Sequence, residues 1–175
     1  MILPIVTYGD SVLRKKTSKI HKLTDELNLF ISDMFDTLKN ANGVGLSANQ
    51  VDNPIDLFIV DVKIDDNQLS EVFINSIITE YSDDKSYYNE GCLSFPDLQE
   101  EILRPNSITI EYLDKNFKHN KKQFNGLIAR IIQHEYDHTK GIVFIDKSNP
   151  LKRKMIASKI KNIINKKFYT NYKIK

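Results

Sequence analysis

The chain has 175 residues, 41% of them hydrophobic and 27% charged, with six glycines and five prolines. That length suits one domain burying roughly two-thirds of its unfolded surface, and the composition excludes a fibrous or disordered chain. A net charge of +2 points to no partner, and a single cysteine excludes an internal disulfide framework.

The first six residues are apolar but far too few for a signal peptide or a membrane span. With one thiol and no span, the cytoplasm or an equally reducing compartment is expected, or an organelle if an import segment has been removed. Residues 8–16 are turn-like and then basic. Leu27, Phe30, Ile31, Met34, Phe35 and Leu38 recur at helical spacing behind Thr24, a good N-cap, so a core-facing amphipathic helix is predicted. Asn42-Gly43 ends it. Gly43 and Gly45 either make a plain turn or let the backbone pass close to a ligand, and Gln50 beyond them carries an amide donor.

Residues 57–62 and 72–78 read as strands joined by a polar turn at 65–67, and residues 82–85 as a solvated loop. Tyr87 and Tyr88 are expected to support the loop that follows. Residues 107–113 alternate cleanly and turn at 114–116 into a second strand ending near Phe124. His119 and His21 sit among lysines and read as protonatable surface residues.

Asn125 or Gly126 should open a helix bearing His134-Glu135-Tyr136-Asp137-His138. Positions i and i+4 stack on one helix face, so both imidazoles can converge on one metal ion. Glu135 lies where a carboxylate can take a proton from water activated there. Two surface histidines spaced by chance is the plain alternative, weakened by there being only four histidines in the chain. Leu127 and Ile131 share the histidines' face, so the site continues an apolar wall, with Arg130 one position round at a pocket mouth. Asp137 fits an outer anchor or a surface ion pair better than a ligand.

The third ligand is not on this helix. Gly141 follows His138 at the metzincin spacing, but Phe144 stands where that pattern needs His, and no Glu follows Glu135. Upstream, the candidate is Cys92 in Glu90-Gly91-Cys92-Leu93-Ser94, although a lone cysteine is more often a small buried hydrophobe.

At the far end, Asn149-Pro150 is an N-cap followed by proline at the first helical position. Leu151, Met155, Ile156, Ile160, Ile163 and Ile164 mark one apolar face, and seven basic residues from Lys152 to Lys167 cover the rest. A terminal helix packed on the domain with a solvated basic side is expected, with docking to RNA phosphates as the functional alternative.

Three segments together resemble the peptide deformylase signature. Residues 43–50, Gly-Val-Gly-Leu-Ser-Ala-Asn-Gln, look like G-x-G-L-[AS]-A-x-Q; residues 90–94 read E-G-C-L-S; residues 134–141 read H-E-x-D-H-x-x-G, all in family order. The departures (Ser11 for Pro, Ser47 for Ala, Thr139 for Leu) fall on none of the positions matching the family's catalytic ones.

This resemblance implies a metal-dependent hydrolase that removes the formyl group from formyl-methionyl nascent polypeptides and releases formate. It implies metal ligands Cys92, His134 and His138, with Glu135 as general base. Gln50 and the Leu93 N–H would be oxyanion donors. Gly43, Val44, Gly45, Glu90, Gly91, Leu127, Arg130 and Ile131 would line the substrate site, Val44 opposing the apolar wall around the methionine side chain. Glu90 would face inward, with Arg104 a candidate counter-ion. Ferrous iron is implied in the cell, and a Cys-His-His set would also accept zinc, nickel or cobalt.

The fold expected is α+β, with antiparallel β-sheets around the helix carrying the H-E-x-x-H motif and a C-terminal helix outside. Residues 1–148 would form the catalytic domain, with the basic helix and tail of 149–175 packed on it. Because the resemblance implies an enzyme acting on nascent chains, a ribosome-facing role for that helix is the functional expectation. The rival readings are a metallopeptidase, which shares H-E-x-x-H, and a non-catalytic module stabilised by metal.

Overall fold

The computed structural model describes residues 1–64 and 67–175. The turn expected at 65–67 therefore lies largely outside the described residues.

The first helix, α1 (Asp25–Asn40), is capped by Thr24, whose side chain accepts from the Leu27 N–H. Its apolar stripe, Leu27, Ile31, Met34 and Leu38, is buried as the helical spacing requires. Among the described residues seven strands follow: β1 (Gly45–Ser47), β2 (Leu57–Ile64), β3 (Asn67–Tyr81), β4 (Lys85–Gly91), β5 (Gln99–Pro105), β6 (Ser107–Leu113) and β7 (His119–Asn125). They form an antiparallel five-stranded sheet in the order β1-β2-β3-β6-β7 and a separate β4–β5 hairpin.

Strand β2 shows how the layers are made. Leu57, Phe58, Ile59 and Val60 are all fully buried, which requires cover on both faces of the sheet. Alternate residues point to opposite faces. Leu57 and Ile59 join the α1 stripe, whereas Phe58, Val60 and Val62 join Phe73, Ile110, Tyr112 and the second helix. Phe58 stacks on Phe73 at 4.6 Å between ring centroids.

That second helix, α2 (Gly126–Thr139), is buried along most of its length and lies against the sheet. It stops in a Schellman arrangement: the Gly141 N–H donates to His138 O at 3.1 Å and the Ile142 N–H to Asp137 O at 3.0 Å. Gly141 has φ +72°, and a Cβ there would lie 2.5 Å from Arg14 O, so only glycine fits.

A third apolar cluster, built from Phe95, Leu98, Ile102, Phe144, Ile145 and Ile163, seats the β4–β5 hairpin and the C-terminal segment. The single terminal helix expected from the sequence is two: α3 (Pro150–Met155) and α4 (Ala157–Ile164), meeting at Ile156. Its apolar face is only partly used. Ile163 on α4 is buried, but on α3 Leu151 is 69% and Met155 77% exposed. Beyond α4 the chain runs back to the N-terminus, where Ile5 and Ile174 form a parallel bridge. Among the described residues no helix is long and apolar enough to cross a membrane.

Candidate metal centre

Three remote segments meet at the buried face of α2. The glycine segment enters through β1, whose register with β2 places Gly45 opposite Val60 and Ser47 opposite Phe58. The cysteine segment leaves β4 as a turn, the Phe95 N–H donating to Cys92 O at 2.8 Å. Asn49 ties the glycine segment to α2 by donating from Nδ2 to His138 O at 2.7 Å.

Cys92 Sγ and one ring nitrogen from each of His134 and His138 all lie within 4.8 Å of one another. The two rings, one helical turn apart, have centroids 5.2 Å apart. His138 Nε2 is 3.3 Å from Cys92 Sγ, and His134 Nδ1 is 3.0 Å from Glu90 Oε2, which leaves its Nε2 for a ligand. A carboxylate behind a ligating imidazole fixes the ring and raises its basicity.

The electrostatics fit a cation. Burial works against charge on His134, but the Cys92 sulfur and the Glu90 carboxylate outweigh it and lift the imidazole to about 10. Burial, with the neighbouring His134 charge, pushes His138 well below its ordinary value. One sulfur and two imidazoles are a donor set that a borderline divalent ion takes.

Glu135 sits beside these donors at 5% exposure, and among the described residues its Oε2 has no hydrogen-bond partner. Burial pushes its carboxyl up to about 7 against the pull of His134 and Arg104. Gly45 makes room for it: a Cβ there would fall 2.6 Å from Glu135 Oε1 and 2.8 Å from Cγ. Gln50 is buried with Oε1 accepting from the Ser47 N–H at 2.8 Å, which orients the amide. Its Nε2 then faces Ser94 Oγ at 3.1 Å and Cys92 Sγ at 3.5 Å.

Behind the rings, Glu90 is the hub of a buried ion network. Its Oε1 accepts from Arg104 Nε and Arg130 Nη1, both at 2.7 Å, and Oε2 accepts from Arg104 Nη2 at 3.0 Å. Arg104 also donates from Nη1 to Asp137 at 2.6 Å. His134 and Arg104 hold the Glu90 carboxyl at about 2, although burial alone would raise it.

Two clefts open onto this centre. The larger, about 500 Å³, is lined by Gly43, Val44, Gly45, Gln50, Gly91, Cys92, Leu93, His134 and Glu135, and also by Tyr172. The smaller, about 210 Å³, is lined by Val44, Val62, Glu90, Gly91, Leu127, Arg130, Ile131, His134 and Glu135. His138 lies behind both, 1% exposed.

Arg130 lines the smaller cleft with its guanidinium turned toward the protein. Its guanidinium is drawn inward by Glu90 and by the carbonyls of Ile102 and Ser86, because a buried carboxylate holds a guanidinium that solvent would otherwise keep. His119 and His21 stay on the surface. Sequence reasoning gave no role to Ser94, although it stands in the cysteine motif, nor to Tyr172. The tail's two-residue alternation of inward and outward positions was the available sign for Tyr172.

The family model for polypeptide deformylase matches residues 2–154. A peptide deformylase of Christiangramia forsetii is 44% identical over 188 aligned residues, covering 100% of this chain and 96% of that protein. One of Karelsulcia muelleri is 48% identical over 147 residues, covering 83% and 78%. Among solved structures, a peptide deformylase from Legionella pneumophila superposes with a TM-score of 0.86 at 33% identity, covering 94% of this chain and 96% of that one. Peptide deformylase 1B of Arabidopsis thaliana gives 0.89 at 33% identity over 94% and 91%. This chain belongs to the polypeptide deformylase family, metal-dependent hydrolases that remove the N-terminal formyl group from nascent polypeptides.

Proposed function

We propose that Cys92, His134 and His138 hold one divalent metal ion and that Glu135 carries the protons of formyl hydrolysis. The observation behind this is the meeting of three ligand atoms within 4.8 Å beside a buried carboxyl. The bound ion would supply Lewis acidity, making water a nucleophile near neutral pH and polarising the formyl oxygen.

Glu135, with its carboxyl near 7, is suited to take a proton from the attacking water and hand it to the departing amine. The Gln50 amide and the Leu93 N–H would donate to the oxygen on which negative charge develops. Val44, Leu127 and Ile131 give the smaller cleft an apolar side for a methionine side chain, while Gly43, Gly45 and Gly91 keep the larger one clear for the peptide. Glu90 and Arg130 shape the same wall from behind through their ion pair. The formyl group is the smallest acyl group, so a tight site can refuse acetyl and larger ones.

Ferrous iron in the cell, replaceable by nickel, cobalt or zinc, accords with a set of one sulfur and two nitrogens. In this reading residues 1–148 form the catalytic unit and 149–175 pack on it, in the cytoplasm. Lys154, Lys159 and Lys161 are exposed on α3 and α4 and offer a salt-sensitive contact to ribosomal RNA. Neutralising those three should reduce ribosome cosedimentation at low salt; unchanged cosedimentation would remove that part of the reading.

The test of function is formate release from a formyl-methionyl peptide by anaerobically prepared protein. Release that is lost in air from the iron form and kept by the nickel form is expected. Internal peptide cleavage without formate would favour a metallopeptidase instead.

A further inference from the structure

Three successive carbonyls of the cysteine segment are each held from a different place. Cys92 O accepts from the Phe95 N–H, Leu93 O from the Tyr172 hydroxyl and Ser94 O from the Tyr8 N–H, each at 2.8 Å. The Cys92 carbonyl shares a planar peptide with the Leu93 N–H, so fixing one aims the other in the opposite direction. The Leu93 carbonyl belongs to the next peptide, hinged at the Leu93 Cα, and the Tyr172 bond removes the remaining freedom there. Among the described residues no protein group accepts from the Leu93 N–H itself.

The partners come from the two chain ends, and those ends are joined. The Ile5 N–H donates to Lys173 O at 2.8 Å and the Lys175 N–H to Ile5 O at 3.0 Å. One residue on, the Val6 N–H donates to Gln50 O at 2.8 Å. The same N-terminal stretch therefore anchors the Gln50 and Ser94 backbones and the tail that carries Tyr172. In that tail Phe168, Thr170, Tyr172 and Ile174 turn inward while Tyr169, Asn171, Lys173 and Lys175 are exposed. A phenol is protonated at neutral pH, so its hydroxyl can donate to a carbonyl throughout turnover. The match to the family model ends at residue 154, before this tail begins.

We propose that Tyr172 is a positioning residue for deformylation: its hydroxyl locks the Leu93 peptide so that the Leu93 N–H meets the oxyanion. This rests on the reading of Leu93 as an oxyanion donor. A donor acts only where the charge develops, and a misplacement of about 1 Å can cost up to roughly a hundredfold in rate.

The test uses the full-length, metal-loaded protein and Tyr172→Phe, which removes only the hydroxyl, with Tyr169→Phe as a control on an exposed tail residue. Tyr172→Phe should lower kcat for formate release about tenfold with KM for the formyl peptide within about twofold. Its metal content should match the wild type, and its Tm should fall by no more than about 4 °C, the cost of one hydrogen bond. Amide exchange of the metal-free protein supplies a readout apart from activity. The Phe95 and Tyr8 N–H groups should exchange about fivefold faster in the variant, the factor for one ordinary hydrogen bond, with β2 unchanged.

A wild-type kcat with unaltered exchange would overturn the proposal. So would a fall in kcat matched by lost metal or by a Tm drop well beyond about 4 °C, since Tyr172 would then be a general structural residue. If the wild type itself released no formate, the donor reading would fall and the proposal with it. An active wild type beside an unaffected variant would sink the proposal alone.

Discussion

Replacing Glu90 by Gln should damage the fold and the metal centre together. The Glu90 side chain is 5% exposed, and its partners Arg104 and Arg130 are 3% and 6% exposed. Each carboxylate oxygen faces a guanidinium, and Oε2 also faces His134. Whichever way a Gln amide turned, its NH2 group would meet a guanidinium N–H, donor against donor. Removing one partner from a buried ion pair costs about 3–5 kcal/mol, because charge stays buried without compensation. For a domain of this size each kcal/mol lowers Tm by about 2–4 °C, so a drop of roughly 6–20 °C is expected. Loss of the carboxylate behind His134 should also weaken metal binding about 10–100-fold. Calorimetry of the metal-free protein gives the first quantity and competition with a chromophoric chelator the second. A Tm within about 2 °C of wild type with unchanged metal affinity would refute the reasoning.

Further outcomes follow from the same geometry. Glu135→Gln should retain metal and stability, since it replaces a buried carboxyl, yet lose about 10²–10⁴ in kcat; wild-type turnover would show that this carboxylate moves no proton. Gly45→Ala should fold and bind metal but lose turnover, because the new Cβ must displace the Glu135 carboxyl from 2.6 Å; an unimpaired kcat would mean that the carboxyl's place does not matter. Glu90 has a depressed folded-state value, about 2 against an ordinary 4.5, so its stabilisation is complete above pH 4.5 and is lost between there and about 2. That gap corresponds to roughly 3 kcal/mol, and pH-dependent melting should show it as an acid limb that Glu90→Gln flattens.

What could be read from the sequence, and what could not, divides along physical lines. α1 and β6 announced themselves because their buried positions are largely apolar at the period of the element, β2 as an unbroken apolar run, and α2 through the spacing of Leu127, Ile131, His134 and His138; the Thr24 cap and Pro150 marked helix starts. The β4–β5 hairpin did not. Its inward positions include Glu90, Glu100 and Arg104, charges where hydrophobes would be looked for, so no apolar alternation is visible. β1 was hidden for another reason: three residues containing a glycine carry too little pattern, and pairing to β2 makes the strand. The break of the terminal helix at Ile156 went unread because no glycine or proline marks it within the lysine-rich stretch. At the site, motif spacing brought forward the cysteine, both histidines, Glu135 and Gln50. The network of Glu90 with two arginines, and the tail that reaches Leu93, depend on contacts between residues far apart in the chain.

The most direct test of the metal centre is the spectrum of the metal-free protein titrated with cobalt(II) under anaerobic conditions. Wild-type protein should take up one ion per chain and develop a sulfur-to-cobalt charge-transfer band in the near ultraviolet, which Cys92→Ala should abolish. A wild type without that band, or a Cys92→Ala variant with the same spectrum, would contradict the assignment of this sulfur and the two imidazoles to one ion.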